Sequence, residues 1–161
     1  MRRSILRPTL LATFVAGTLD ILSAFVFAGM AGASVGGVLR YVASGPFGDA
    51  AREGGAGWAA AGLAVHYAIM LAMCAAYMLA APRIPALLRR PVVAGLAYGL
   101  LLWAIMYYLV KPLRWPDGTL PHQAADPLWS IGNQLFSHCI LVGLPIALIA
   151  ARYLRRRGPF A

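Results

Sequence analysis

Four long apolar runs dominate the pattern of hydrophobic and polar positions along the chain. Charged residues and prolines separate them, and each run holds about 20 or more residues, the length that an α-helix needs to cross a bilayer. The runs cover about residues 9–30, 58–81, 91–110 and 128–153. The pattern therefore predicts an all-α fold, a polytopic membrane four-helix bundle that forms one membrane domain over residues 1–161.

The stretch between the first and second runs is too polar to cross a membrane, but it carries a helical stripe. Its apolar residues recur at the i, i+3, i+4 and i+7 spacing of one helix face: Val35, Val38, Leu39 and Val42. This spacing predicts a short amphipathic helix over about residues 34–44, lying in the membrane interface. We expect Ser34 to cap its start, the Gly45-Pro46 pair to stop it, and residues 47–57 to form a glycine-rich link.

Two features inside the later runs predict how these helices pack and bend. In the third run, Gly95 and Gly99 form the small-xxx-small pair that lets two membrane helices approach closely. In the fourth run, Pro145 lacks the amide hydrogen that would bond the carbonyl of Leu141, so we expect a kink there.

The composition places the chain among membrane proteins. Hydrophobic residues make up 61% of the 161 residues, against roughly 45–50% in soluble domains, and the mean hydropathy is +0.72. The net charge of +9 comes from residues between and beyond the apolar runs. This is the membrane pattern and not that of a nucleic-acid-binding protein. The expected partner is the lipid bilayer, and other membrane subunits or a second copy of the chain are further candidates.

The basic residues also predict an orientation. Ten of the 14 Lys and Arg residues lie in the two tails and the connection between the second and third runs: Arg2, Arg3, Arg7, Arg83, Arg89, Arg90, Arg152, Arg155, Arg156 and Arg157. The other four are Arg40, Arg52, Lys111 and Arg114. The positive-inside rule therefore puts both termini in the cytoplasm. Trp58, Trp115 and Trp129 then all mark the outer interface.

Three ionisable residues interrupt the apolar runs: Asp20 in the first, His66 in the second and His138 in the fourth. At 1.5 Å per residue they lie about 12–16 Å from the predicted ends of their spans, close to the midplane of a roughly 30 Å core. Polar groups at this depth usually face the bundle and pair with another group. We therefore expect the three side chains to converge on one layer.

The fourth run adds polar side chains to this layer. Ser130, Gln134 and His138 follow at i, i+4 and i+8 and share a helix face, with Asn133 and Ser137 beside them. The residues predicted to form a ligand or proton site are Asp20, His66, Asn133, Gln134 and His138. One interpretation is that these groups hydrogen-bond one another or a small molecule, in a structural or ligand-binding role.

A second interpretation is a haem b between the second and fourth helices. His66 and His138 would be its axial ligands, and Arg40 would bind a propionate at the outer surface. The small residues that would make room for the porphyrin are Gly62, Gly95 and Gly99.

Further interpretations use the same three ionisable groups. A proton-coupled small carrier acting as a dimer fits because histidine titrates near neutral pH. A metal site would combine Asp20, His66 and His138, with or without Met70. An accessory subunit of a membrane complex is the remaining alternative.

No residue pattern favours an enzyme. The stretch from Gly32 to Gly36 reads G-x-S-x-G, but that motif needs a strand before the serine, and here a membrane span precedes it. Cys74 and Cys139 lie inside apolar runs without metal-ligand spacing, so we expect them to act as packing residues.

The last two thirds of the chain resemble the YagU-like group of small bacterial inner-membrane proteins, whose biochemistry is unassigned. The resemblance covers roughly residues 57–157. The residues that carry it are His66, Tyr77, Gly95, Gly99, Pro112, Asn133 and His138, followed by an arginine-rich end. The resemblance implies a location in the bacterial inner membrane and a bundle architecture, and it implies no particular activity.

Overall fold

Four apolar helices account for most of the chain. The computed structural model describes residues 5–115 and 127–155, and those two ranges contain helices and turns without any strand. The helices that are long and apolar enough to cross a membrane are Leu6–Met30, Ala56–Ala80, Pro91–Arg114 and Leu128–Leu154. The predicted all-α bundle with four spans is confirmed, and the chain is a small membrane protein. Arg2, Arg3, Arg156 and Arg157, which entered the orientation prediction, lie outside the described residues.

The elements follow one another in simple order. The first two spans are α1 (Leu6–Met30) and α4 (Ala56–Ala80). The third span consists of α6 (Pro91–Ile105), a π-helical segment (Met106–Val110) and α7 (Lys111–Arg114). The fourth consists of α8 (Pro127–Phe136), a second π-helical segment (Ser137–Gly143) and α9 (Leu144–Leu154). The connections carry α2 (Val35–Phe47), α3 (Ala50–Glu53) and α5 (Pro85–Arg89).

Contacts at the two ends of the bundle show how the spans alternate. At one end, Arg114 from the third span bonds the carbonyl oxygen of Ser44 in α2. At the other end, the Tyr77 hydroxyl donates to the Leu87 carbonyl at 3.1 Å, and Arg155 donates to the Arg89 carbonyl at 3.4 Å. Neighbouring spans therefore run in opposite directions, and the α2–α3 connection lies at the end opposite α5. We call these the α2 end and the α5 end.

Small residues bring the helices together in the half of the bundle near the α5 end. Residues that are fully or almost fully buried there include Ala12, Ala16, Met70, Cys74, Tyr77, Met78, Ile146, Ala147 and Ala150. Lipid tails are as apolar as these side chains, so close backbone approach and dispersion contacts hold the helices together. Cys74 belongs to this core, as predicted for a packing residue.

The closest approach between the third and fourth spans occurs at glycines. A Cβ atom on Gly95 would lie 2.8 Å from the Gly143 carbonyl oxygen, and one on Gly99 would overlap the His138 carbonyl. Gly143 faces the same two glycines from the other side, where its own Cβ would overlap the Gly95 carbonyl. The predicted small-residue contact in the third run is confirmed.

Each π-helical segment is followed within two residues by a proline. Met106–Val110 precedes Pro112, and Ser137–Gly143 precedes Pro145. Proline has no amide hydrogen and its ring crowds the carbonyl four residues back. A wider π turn, with its bond between residues five apart, accommodates that loss without ending the helix. The perturbation predicted at Pro145 therefore takes the form of a widened segment.

The predicted end of the interfacial helix is wrong, although its start is correct. The Ser34 hydroxyl accepts the Gly37 amide at 3.1 Å, as expected for an N-cap. The helix then continues through Gly45 and Pro46 to Phe47 and ends at Gly48, whose φ of 85° suits glycine. Pro46 thus lies inside the last turn, where Arg114 binds the carbonyls of Ser44 and Gly45.

Two neighbouring boundaries also differ from the prediction. Residues 47–57 are not only a link, since they contain α3 and the first two residues of α4. The third span extends to Arg114 instead of ending near residue 110. Side chains of this added turn make tertiary contacts that stabilise it: Lys111 donates to Gln134, and Arg114 binds α2.

We expect Gly143→Ala to lower the free energy of unfolding by about 1–3 kcal/mol, since the added methyl must displace backbone atoms of the third span. The matched control is Gly132→Ala on the same span, because no atom lies within 4 Å of the position that its Cβ would take. That control should leave stability unchanged or slightly raised. Unfolding of the purified variants in detergent measures the difference, and equal stability of the two variants would contradict this packing.

Candidate ligand-binding cavity

The middle of α1 is hydrogen-bonded to α4 by two neighbouring residues. His66 Nε2 lies 2.8 Å from the Gly17 carbonyl oxygen, and because a carbonyl only accepts, Nε2 carries the hydrogen. The hydroxyl groups of Thr18 and Tyr67 lie 2.8 Å apart. Gly17 is needed at this point, since a Cβ there would come within 2.9 Å of the Tyr67 ring. These bonds fix α4 against α1 at this depth.

One and a half turns further along α1, a second polar contact reaches the fourth span. The hydroxyl groups of Ser23 and Ser137 lie 2.6 Å apart. Asp20 lies between the two contacts, three residues after Gly17 and three before Ser23, or about 4.5 Å of helix rise from each. Along α1, the contact with α4 at Gly17 and Thr18 therefore comes first, and the contact with the fourth span at Ser23 comes last. Asp20 lies between these two contacts.

Asp20 differs from its polar neighbours because no residue of the two described ranges gives its carboxylate a hydrogen bond or an ion pair. His138 is the stronger of its electrostatic neighbours and His66 the weaker. The carboxylate instead faces a cavity of about 630 Å³. A carboxylate at membrane depth without a partner is costly, and such residues usually mark a functional site.

The cavity lies toward the α2 end, between the second half of α1, α2, the end of the third span and the first part of the fourth. Its polar lining residues are Asp20, Ser23, Tyr41, Lys111, Ser130, Asn133, Gln134, Ser137 and His138. Its larger apolar lining residues are Phe27, Met30, Val38, Met106 and Trp129. The Phe27 and Trp129 rings pack edge to face with their centroids 5.9 Å apart.

The polar residues of the fourth span form a ladder on one face. Gln134 donates to the Ser130 hydroxyl at 3.1 Å and accepts from Lys111 Nζ at 3.1 Å. His138 Nδ1 donates to the Gln134 carbonyl at 2.9 Å, which leaves Nε2 as the acceptor of a neutral ring. The ladder therefore presents amide, hydroxyl and imidazole groups, with Lys111 as its cation.

The interfacial helix α2 forms one wall of this cavity. It packs on α4 so tightly that a Cβ on Gly62 would overlap the Leu39 carbonyl. Tyr41 lines the cavity and stacks on Trp115, with ring centroids 5.0 Å apart. Burial raises the pKa of Tyr41 to about 12, although Arg52 and Arg114 oppose the shift. Its hydroxyl therefore stays protonated at physiological pH and can donate a hydrogen bond.

Arg114 holds the end of α2 against the third span. Its Nε donates to the carbonyls of Ser44 at 2.9 Å and Gly45 at 3.1 Å. Its Nη2 forms an ion pair with Asp49 at 2.8 Å. A cation at a helix C-terminus is favourable, because the last carbonyls otherwise lack partners.

No protein-family model, curated protein or solved structure matches this chain. The role of the cavity therefore has to be inferred from its own residues.

The predicted site residues divide into two groups. Asp20, Asn133, Gln134 and His138 line the cavity together. His66 does not line it: the side chain is only 7% exposed, and it is bonded to α1 one turn from Asp20.

The geometry does not fit a haem held by His66 and His138. The His66 Nε2 hydrogen is bonded to Gly17, so ligation through that atom would break the bond. The glycines expected to make room contact other helices instead: Gly62 meets α2, and Gly95 and Gly99 meet the fourth span. Arg40, the predicted propionate ligand, donates through Nε to the Arg52 carbonyl at 3.1 Å.

The predicted metal site is also not supported. Within residues 5–115 and 127–155, no three His, Cys, Asp or Glu side chains come close enough together to hold a metal ion. His66 is turned toward the α1 backbone, so Asp20, His66 and His138 do not form a common ligand set.

Sequence reasoning missed several lining residues, among them Ser23, Phe27, Tyr41 and Lys111. Ser23 and Phe27 follow Asp20 at i+3 and i+7, so the helical stripe on α1 was a usable signal. Lys111 was interpreted only as a surface charge at the end of a span. No local pattern shows that its side chain reaches Gln134, because that contact depends on how two distant spans pack.

We expect Arg114→Ala to loosen the α2 wall. Charge-assisted bonds of this kind contribute about 1.5–3 kcal/mol each, so amide hydrogen exchange over residues 35–53 should rise by about tenfold or more. Arg52→Ala is the control, because its ion pair with Asp49 is long, at 3.8 Å, and solvent-exposed. Unchanged exchange in Arg114→Ala would show that packing on α4 alone holds α2.

Proposed function

We propose that this membrane protein binds a small polar organic molecule in the cavity at the α2 end. The observation that carries the proposal is the Asp20 carboxylate, which faces the cavity beside His138 without a hydrogen-bond or ion-pair partner in the described part of the chain. An acidic side chain at mid-membrane costs about 2.5–3.5 kcal/mol. A bound molecule that donates to this carboxylate would offset that cost.

The other lining residues supply what a binding site needs. A volume of about 630 Å³ falls within the roughly 300–1,000 Å³ of typical small-molecule pockets. Asn133 and Gln134 offer amide donors and acceptors, and His138 offers an imidazole. Phe27 and Trp129 provide an apolar surface for the body of a ligand.

His66 has a different role in this proposal. Its bond to Gly17 and the adjacent Thr18–Tyr67 contact hold α4 against α1 about one turn from Asp20. Bonds of this kind between membrane helices contribute about 0.6–1.7 kcal/mol. His66 thus positions α1, and through it Asp20, without touching the ligand.

Binding is favoured over carriage across the membrane. The lining residues of α1 run from Asp20 to Ala31 and those of the fourth span from Trp129 to His138. All of them lie toward the α2 end, while the half near the α5 end is closed by glycine and alanine contacts. A proton-coupled carrier would need a second opening through that packed half.

We further propose that the protein lies in a bacterial inner membrane with both termini in the cytoplasm, so that the cavity faces the opposite side. The support is the distribution of arginines. Within the described residues, the α5 end holds Arg7, Arg83, Arg89, Arg90, Arg152 and Arg155, while the α2 end holds Arg40, Arg52, Lys111 and Arg114. The resemblance to YagU-like proteins agrees with this location.

This orientation predicts which residues a membrane-impermeant maleimide can reach in intact cells. In a background with Cys74 and Cys139 replaced by alanine, Glu53→Cys should be labelled before lysis and Arg90→Cys only after lysis. Both positions are exposed and lie at opposite ends of the bundle. The reverse labelling pattern would place the cavity on the cytoplasmic side.

Ligand binding predicts a selective rise in thermal stability. We would screen amino acids, amines, carboxylates, polyols and nucleosides for compounds that raise the unfolding temperature of the purified protein. A ligand at 100 times its Kd stabilises by about 2.7 kcal/mol. Asp20→Asn should reduce the shift given by compounds that carry a cationic or other donor group, because the amide keeps the shape of the side chain and loses its charge.

Glu53→Gln provides the matched control, since it removes one exposed carboxylate outside the cavity and should keep the shift. Two results count against the proposal: no compound that stabilises the wild-type protein, or stabilisation that is undiminished in Asp20→Asn for every compound that carries a cationic or other donor group.

A further inference from the structure

The cavity holds two residues of opposite formal charge that are not paired with each other. Asp20 lies on α1 and Lys111 on the third span, and both line the cavity. In the described ranges, the Lys/Arg–carboxylate ion pairs join Asp49 to Arg52 and to Arg114, and Asp49 is not a lining residue. The charges of Asp20 and Lys111 are therefore left without a counter-ion by this part of the chain.

Among the described residues, the recorded partners of the Lys111 ammonium group are neutral. Its Nζ donates to the Gln134 side-chain carbonyl at 3.1 Å. It also lies 5.1 Å from the centroid of the Tyr107 ring, which gives a cation–π contact. These contacts orient the ammonium group but do not neutralise it, so within the described ranges it has no anionic partner and can bind an anionic group inside the cavity.

The two charges lie at different depths along the fourth span. Asp20 has His138 as its principal electrostatic neighbour, whereas Lys111 bonds Gln134. Gln134 precedes His138 by four residues, or about 6 Å of helix rise. The carboxylate and the ammonium group are thus associated with different turns of the fourth span, and both line the same cavity.

The walls between the two charges combine aromatic and amide groups. Phe27 and Trp129 form an edge-to-face pair on one side, and Asn133 lines the cavity on the polar ladder. A ligand that fits both surfaces has an apolar body with charged groups at its ends.

We propose that the cavity binds an organic zwitterion with an apolar body, its cationic group on Asp20 and its anionic group on Lys111. This inference rests on the proposed function and narrows it to one ligand class. A zwitterion neutralises both charges at once, an amine or an acid alone neutralises one, and a neutral molecule neutralises neither. Unpaired charges are costly in a site with little water, so the zwitterion should bind most tightly.

A matched set of probes tests this ranking on the purified protein in lipid nanodiscs. The zwitterions are 4-(aminomethyl)benzoic acid, with its charges at opposite ends of the ring, and phenylalanine, with its charges close together. Benzylamine, benzoate and benzyl alcohol carry the positive charge, the negative charge and no charge on the same ring. Calorimetric titration should show that at least one zwitterion binds at least tenfold more tightly than any of these three.

Two charge-removing variants should change the ranking in opposite directions. In Asp20→Asn, benzoate should bind as tightly as the better zwitterion, because only the Lys111 charge remains. In Lys111→Gln, benzylamine should bind as tightly as the better zwitterion, because only the Asp20 charge remains. Lys111→Arg keeps the cation and should retain the original preference, which separates loss of charge from damage to the fold. A role of these residues in folding alone would weaken all probes together.

The outcomes distinguish this inference from the proposed function. Equal binding of a zwitterion and a singly charged or neutral probe would overturn the zwitterion proposal and leave a ligand-binding cavity. The zwitterion proposal is also overturned, and the ligand-binding cavity also stands, if the compounds that stabilise the protein in the thermal screen include no zwitterion. If no compound of any class binds, both proposals fail.

Discussion

The structure depends on the need to satisfy every polar group that lies within the membrane, where water is not available as a partner. The middle of α1 meets this need through neighbouring helices: Gly17 accepts from His66, and Ser23 pairs with Ser137. These bonds hold α1 against both α4 and the fourth span over two turns of helix. Asp20 lies between them, and its carboxylate faces the cavity. The carboxylate that no described residue hydrogen-bonds is therefore also the centre of the candidate site.

The location of the cavity follows from the sizes of the side chains along the bundle. Near the α5 end, Gly95, Gly143 and Ala147 let the third and fourth spans approach until their backbones touch. Near the α2 end, the facing residues are larger, with Phe27 and Trp129 between α1 and the fourth span. These two rings line the cavity, and α2 closes it from one side. The bundle is therefore closely packed near the α5 end and contains the cavity near the α2 end.

The four spans and the polar ladder could be predicted from the sequence, because helical periodicity and run length determine both. Gly95 and Gly99 were also recognisable, since small residues four apart on a membrane helix have few other uses. The end of α2 was misplaced because Gly45-Pro46 has the composition of a stop, whereas the helix ends at Gly48. The contact of Arg114 with its last turn, from about 70 residues away in the chain, depends on packing between distant elements and was not predictable. Packing between distant spans likewise places the Lys111 side chain in the cavity and keeps His66 out of it. The identity of a ligand cannot follow from spacing alone.

The second π-helical segment divides the fourth span into two parts with different structural roles. Gln134 and the residues before it face the cavity, while Gly143 and the residues after it pack against the third span. Each residue of an α-helix turns the chain by about 100°, so adding or removing one residue within Ser137–Gly143 would rotate one part relative to the other. Such a change would turn the polar face relative to α9, and it would also shift the contact of Gly99 with His138 and Cys139. The length of this segment therefore couples the direction of the cavity-lining side chains to the packing of the third span on the fourth.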